Sequence, residues 1–331
     1  MRRTRATYHS SRNGVSPTRR RSAKQVKREV LRSRRGRGGR LPPDDGRPRM
    51  GGNTMNVNWP SWYRLRAADV IAAGVLLARD GEGIRAVAIS GPPGTGKTSF
   101  ARALAQAVGG EFIYFLAHHW VSEEDLYVRV DPARVAGLAG GVYKDIEEAY
   151  RPGVLLRASL SSSRGPTVLC LDEWDKAPER ADALLLEFLQ TGRVFGPFGE
   201  AWQADTSNLF VVLTDNGIRP LSEPLLRRTF RLNMGFLPPQ VEADIIRKET
   251  GASTGVARLV VAMMATIRER GTSSPSLQEG VRLAETVALA SSSEDVQTLI
   301  LGWLCKAPED WEALREKFGN PATILWGELQ R

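Results

Sequence analysis

The sequence predicts an α/β protein, with five short apolar strands in one parallel sheet followed by a helical C-terminal domain. Three observations predict it. Residues 91–98 read Gly-Pro-Pro-Gly-Thr-Gly-Lys-Thr, a complete G-x-x-x-x-G-K-[ST] pattern set between an apolar run and an alanine-rich helical one. Residues 167–171, Thr-Val-Leu-Cys-Leu, are an apolar run that ends in Asp172-Glu173. From residue 240 to the end only helical periodicity remains.

The first 50 residues carry 17 basic side chains against 3 acidic ones, whereas the remainder carries 29 against 34. The formal charge of +9 therefore belongs to the tail, and the part that folds is mildly acidic. Residues 1–55 are rich in Arg, Gly and Ser and almost without large apolar side chains, so burial cannot offset their chain entropy and they are expected to be disordered. Clustered arginines neutralise phosphates without needing a fold, which makes residues 1–50 a candidate nucleic-acid tether. A plain solvated tail, or a true start at Met50 or Met55, accounts for the composition equally well. Two cysteines far apart, Cys170 and Cys305, exclude a disulfide framework, and three histidines give no metal-ligand spacing. No apolar run approaches about 18 residues, so the expectation is a cytoplasmic protein with no membrane insertion.

Globular composition begins at Trp59, and residues 62–78 have the spacing of a helix that precedes the first strand. That strand is residues 86–90, Ala-Val-Ala-Ile-Ser, and the next helix covers 99–108. Between them, glycines allow the backbone to turn its N–H groups inward as an anion nest at a helix N-terminus. Gly91, Pro92, Pro93, Gly94, Thr95, Gly96, Lys97, Thr98 and Ser99 are accordingly the candidate nucleotide-binding residues. Lys97 is expected to bridge the β- and γ-phosphates of ATP, and the Thr98 hydroxyl to hold Mg²⁺.

Residues 111–116 read as a second strand. The interval 117–151 is long and polar for an α/β unit, which predicts a helix and an exposed loop or hairpin at one end of the sheet, before a helix over 154–160. The strand 167–171 brings Asp172 and Glu173 to the carboxyl edge of the sheet, about 75 residues after the phosphate loop. Asp172 is the candidate second metal-shell residue, and Glu173 the base for an attacking water. A core helix over 181–190, capped by Gly192, leads to a strand over 208–214. Asn216, just past that strand, is placed to hydrogen-bond the γ-phosphate or the water, against the alternative of an ordinary turn residue. A last strand over 230–234 follows Arg227-Arg228, and Pro238-Pro239 marks a boundary. The domains expected are the tail 1–55, an α/β domain 56–237 and a helical domain 238–331, the last interrupted at 251, 271–275, 291–293, 308 and 319–321.

The order GPPGTGKT, VLCLDE, a strand ending in Asn, an Arg pair and a helical lid resembles the AAA+ ATPases, most of all their MoxR-like branch. The run from Asp172 to Pro178 and the turn Tyr150-Arg151-Pro152-Gly153 carry the finer likeness. The resemblance covers about residues 60–290. It implies a P-loop AAA+ ATPase that depends on Mg²⁺ and assembles as a homo-oligomeric ring, a hexamer. By matching position it makes Asn216 the first sensor, and Arg228, or else Arg227, a finger that reaches the neighbouring subunit's nucleotide. It further implies chaperone-like remodelling of a protein partner, including proteins with a von Willebrand factor A domain, with loops from 117–151 facing the pore. The chain departs from the pattern after Ser274-Pro275, where many members place an Arg and this chain has Ser276, with Arg282 further along as a substitute. Two rival readings are a translocating motor subunit of a restriction-type system, supported only by the Arg-rich tail, and a small-molecule kinase. The acidic folded part opposes the first, and the helical C-terminal domain and the Arg227-Arg228 pair oppose the second.

Overall fold

A computed structural model describes residues 57–78, 83–141, 149–197 and 199–331. At its centre is an all-parallel sheet of five strands, β1 (Arg85–Ser90), β2 (Glu111–Leu116), β5 (Thr167–Asp172), β8 (Leu209–Asp215) and β9 (Phe230–Asn233). Their order across the sheet is β2-β5-β8-β1-β9. β5 and β8 are buried along their whole length, as central strands covered on both faces must be, which is why they read as unbroken apolar runs. Alternation divides β1 between two cores. Val87 and Ile89 pack with Phe100, Leu104 and Leu76, whereas Ala86 and Ala88 face the side of Leu155, Leu185 and Phe188.

The first core is closed by α1 (Ala67–Leu77) and α2 (Lys97–Ala107), the second by α5 (Val154–Ser162) and α6 (Arg180–Thr191). Between β2 and α5 the chain makes a one-turn helix α3 (Glu123–Leu126), then β3 (Val128–Val130), α4 (Pro132–Ala139) and β4 (Tyr150–Pro152). β3 and β4 pair antiparallel, so the long interval does hold a hairpin, although residues 142–148 lie outside the described ones. The expected disordered tail, 1–55, also lies outside them.

A second hairpin, β6 (Arg193–Phe195) with β7 (Ala201–Gln203), was not legible, because two three-residue strands leave no room for a period-2 pattern. The first helix starts at Ala67 rather than 62. Tyr63 N–H closes a turn onto Pro60 O, and Arg66 N–H is capped by Asp69 Oδ2 at 2.9 Å. Trp59 and Tyr63 instead pack around Phe100. His118 and His119 lie past the end of β2. Cys170 and Cys305 are both free thiols.

After α7 (Glu223–Arg227) and β9 come α8 (Pro239–Thr250), α9 (Thr254–Arg270), α10 (Leu277–Thr286), α11 (Ser293–Trp303), α12 (Pro308–Phe318) and α13 (Pro321–Leu329). They enclose a separate apolar core built on Ile246, Val260, Met264, Leu283, Ile300 and Leu325. Among the described residues no helix is long and apolar enough to cross a membrane.

Candidate functional site

Register puts Ser90 opposite Asp215 and Leu116 opposite Asp172, so the carboxyl ends of four strands share one edge. There the phosphate loop, the strand-end carboxylates and the first turn of α10 line a cavity of about 430 Å³. Glycine is required in this loop. Gly91 and Gly94 have φ of +153° and +76°, and a Cβ on them would overlap Met234 O and Ser276 respectively, so side chains are excluded both by conformation and by space.

Lys97 opens α2, yet its ammonium folds back over the loop. Nζ donates to Gly91 O at 2.6 Å, Pro92 O at 2.9 Å and Asn216 Oδ1 at 2.8 Å. Only 6% of Lys97 is exposed, and burial pushes its pKa below the ordinary lysine value against the pull of Asp215, Asp172, Asp175 and Glu173. The neighbouring Thr98 donates to Asp172 Oδ1 at 2.7 Å. Asp172 also receives Thr214 Oγ1 at 2.6 Å on the same oxygen and Tyr114 OH at 3.0 Å on Oδ2. Burial first, and then this carboxylate, push the Tyr114 phenol up to about 12.

Glu173 has φ of +51°, alone in positive φ among the described non-glycine residues. Its N–H donates to Thr214 Oγ1 at 2.9 Å, and its carboxylate accepts Lys176 Nζ at 2.5 Å and Asn216 Nδ2 at 3.1 Å. Lys176 is held above its ordinary pKa first by that hydrogen bond. Asn216 therefore spans the site, with its carbonyl on Lys97 and its amide on Glu173. Asp175 fixes the turn beyond it, accepting the N–H groups of Asn216 and Ile218 at 2.9 Å each.

Lys97, Thr98, Asp172, Glu173 and Asn216 are thus brought together, and Pro93 to Ser99 line the same cavity. Pro92 joins them through its carbonyl, which also accepts Thr95 Oγ1 at 3.0 Å. Arg227 and Arg228 are not brought there. Both are exposed at the end of α7, Arg227 paired with Glu223 at 2.5 Å and Arg228 donating to Pro224 O and Gln190 Oε1. Arg282 pairs with Glu285 at 2.9 Å and is not among the residues lining the cavity. Ser276 is there, but as the N-cap of α10, bonded to Glu279.

Sequence reasoning missed Thr214, Tyr114, Asp175 and Arg66. Thr214 sits one residue before the strand end, a polar side chain in an otherwise apolar run, and that was an available signal. Tyr114 carries none, because its reach to Asp172 depends on β2 lying beside β5. A buried network behind the site was also missed. Asp182 accepts Trp174 Nε1 at 2.9 Å, Arg219 Nη2 at 2.8 Å and Ser222 N at 2.8 Å, which joins the turn after Glu173 to the start of α7.

Residues 87–236 match the profile of the ATPase family associated with various cellular activities (AAA). The chain is 32% identical over 162 residues to the uncharacterized protein YeaC of Bacillus subtilis, covering 46% of this chain and 44% of that one. It is 28% identical over 229 residues to Lon protease homolog 2, peroxisomal, of Zea mays, covering 64% of this chain and 24% of the relative. It spans less than half the length of these curated relatives. Among solved structures a Thermotoga maritima RuvB variant aligns over 70% of this chain and 67% of its own, at 18% identity and a TM-score of 0.44.

Proposed function

We propose, from the match of residues 87–236 to the AAA ATPase family, that this chain binds ATP with Mg²⁺ in the cavity at the strand ends and hydrolyses it. The observation that carries the reading is the Asn216 bridge, which links the phosphate-loop cation to the carboxylate of Glu173 across the cavity. The residues present fit both groups. Lys97 Nζ lies over the loop against the carbonyl oxygens of Gly91 and Pro92, and the loop glycines leave the space that side chains would fill. The hydroxyl of Thr98 and the carboxylate of Asp172 are hard oxygen donors 2.7 Å apart, the donor type that holds Mg²⁺.

In this reading Lys97 holds the phosphates as a point charge, and Thr98 with Asp172 holds the metal. Bound Mg²⁺ supplies neutralisation of phosphate charge. Glu173 accepts the proton of the attacking water, and Asn216 orients that water and the carboxylate. The aromatic and apolar side chains of Trp62, Tyr63, Leu237, Ile245 and Val281 line the rest of the cavity and supply a surface for the base.

The finer proposal is a MoxR-like ring, a hexamer, that remodels a protein partner such as a von Willebrand factor A domain protein. Supporting a shared active site, Arg228 is exposed, its partners are a carbonyl and an amide, and among the described residues it makes no ion pair. Arg227 already has Glu223, so Arg228 is the better candidate for a finger acting in trans. The test is ATP hydrolysis by the full chain together with equilibrium binding. Lys97→Ala should lose both, and Glu173→Gln should keep binding while losing hydrolysis. Unimpaired turnover in either variant would refute the assignment.

A further inference from the structure

Position 276, at the start of α10, offers a serine hydroxyl that is already spent on Glu279, and Arg282 is tied to Glu285. If ATP occupies the cavity, its polyphosphate then meets only one cation from the loop, Lys97. A second cation nevertheless stands at the loop, from the segment that enters α1.

We propose that Arg66 is a phosphate-binding residue of this site. The proposal rests on the ATP reading above. Arg66 lies where the chain enters α1 and lines the same cavity as Lys97. Its Nη2 donates to Thr95 O at 2.5 Å and its Nη1 to Gly235 O at 3.2 Å, so it clamps the phosphate loop to the segment that follows β9. A Cβ on Gly96 would sit 3.6 Å from Nη2, which places the guanidinium directly against the loop's last glycine.

The charge of Arg66 has no ion-pair partner among the described residues. Asp69 is the nearest candidate in sequence, but its Oδ2 takes Tyr63 OH and the backbone N–H of Arg66 itself, and the two charged groups do not form an ion pair. Glu242, which also lines the cavity, is taken by Arg268 at 2.9 Å. Buried Nε of Arg66 and Oδ1 of Asp69 both lack a hydrogen-bond partner. A guanidinium offers five N–H donors, and only two are engaged here, both by neutral carbonyls. Nε is buried, so the donors left for the cavity are the second hydrogens of Nη1 and Nη2, and a guanidinium that presents them to a cavity lined by the phosphate loop is matched to an anionic ligand, its planar fork suiting phosphate oxygens better than an ammonium does.

The test uses the full chain, with Arg66→Met and Arg66→Lys, and titrates ATP, ADP and AMP at several salt concentrations. Melting temperatures without nucleotide are measured alongside. Arg66→Met should weaken ATP by about ten- to a hundredfold, the usual value of a charge-assisted hydrogen bond. The loss should shrink as phosphates are removed, the dependence of affinity on salt should become shallower, and Arg66→Lys should keep part of the affinity. An equal loss for all three nucleotides, an unchanged ATP affinity, or a loss that merely follows a lower melting temperature in both variants would overturn the proposal and leave Arg66 a structural clamp. If the wild-type chain fails to bind ATP, or binds it no better than Lys97→Ala, the ATP reading falls first and the Arg66 proposal falls with it.

Discussion

Replacing Thr214 by valine tests whether one buried hydroxyl holds both acidic residues of the site, Asp172 by its carboxylate and Glu173 by its backbone. Thr214 is 1% exposed, donates to Asp172 Oδ1 at 2.6 Å and accepts Glu173 N–H at 2.9 Å. Valine keeps the shape and removes both bonds. The lost bond to a charged partner costs about 1.5–3 kcal/mol, and an orphaned Glu173 N–H about 1–3 kcal/mol more. A methyl in place of the hydroxyl returns about 0.8 kcal/mol, so the net expected loss of stability is about 2–5 kcal/mol. The catalytic effect should be larger than the effect on binding. Glu173 sits at φ +51°, a conformation that costs about 1–3 kcal/mol and persists only while its neighbours hold it. Once the N–H is released the residue can relax, and a displacement of about 1 Å of a catalytic group costs up to about a hundredfold. The assay is kcat and KM for ATP with a denaturant midpoint for each protein, and Thr214→Ser serves as the control that restores the hydroxyl. Expected are a kcat lowered about 10- to 100-fold in Thr214→Val, a KM within about threefold, and recovery in Thr214→Ser. A valine variant with wild-type kcat and stability would refute the reasoning, because then neither bond positions anything.

The remaining predictions concern other parts of the site and the lid. Gly94→Ala should lower ATP affinity without unfolding the sheet, because the new Cβ needs φ near +76° and overlaps Ser276; unchanged affinity by equilibrium binding would mean that the loop does not meet α10 in solution. Mixed rings of Arg228→Ala with Lys97→Ala should recover hydrolysis that neither variant shows alone, and no recovery in mixtures shown by native mass spectrometry to contain both would oppose action in trans. The Asp310 carboxyl is buried, which alone would raise its pKa, but the Ser273 hydroxyl and the N–H groups of Lys306, Ser273 and Thr272 hold it at about 2. A carboxyl depressed in the folded state stabilises above its unfolded value near 3.9 and loses that contribution as pH falls toward 2. Acid unfolding of the helical region followed by circular dichroism should therefore steepen between about pH 4 and 2, and Asp310→Asn should flatten that limb. Asp182→Asn should destabilise the chain by about 3–5 kcal/mol in a chemical denaturation, since it leaves the Arg219 guanidinium without its buried partner at 2.8 Å.

What could be read in the sequence was whatever depends on residues close along the chain. The phosphate loop is legible because its anion nest, its lysine and its hydroxyl are all made within one strand-to-helix turn, Gly91 to Thr98. Asp172, Glu173 and Asn216 are legible for a related reason, since a buried parallel strand announces its own end by the first polar residue after an apolar run. The helical breaks at Gly251 and Gly319 could be read because a glycine ends each helix before them. The onset of α1 could not, since the capping group is a carboxylate three residues inside the helix and not a residue before it.

What stayed illegible depends on which strands become neighbours. β5 lies between β2 and β8, an order the sequence does not state. That placement alone brings Tyr114 to one oxygen of Asp172 and Thr214 to the other, one hydroxyl from each flanking strand. Thr98 reaches the same carboxylate from the loop side, so the two oxygens of Asp172, a residue only 8% exposed, accept three hydroxyl protons. The consequence is mechanical as well as electrostatic. A carboxylate held from three elements cannot turn away when a divalent cation binds, whereas Glu173, held by Lys176 and Asn216 on a strained backbone, has partners it can exchange. Under the proposed ATP reading the two adjacent acids are thus suited to different work, Asp172 to fixed positioning and Glu173 to a change of partner during turnover.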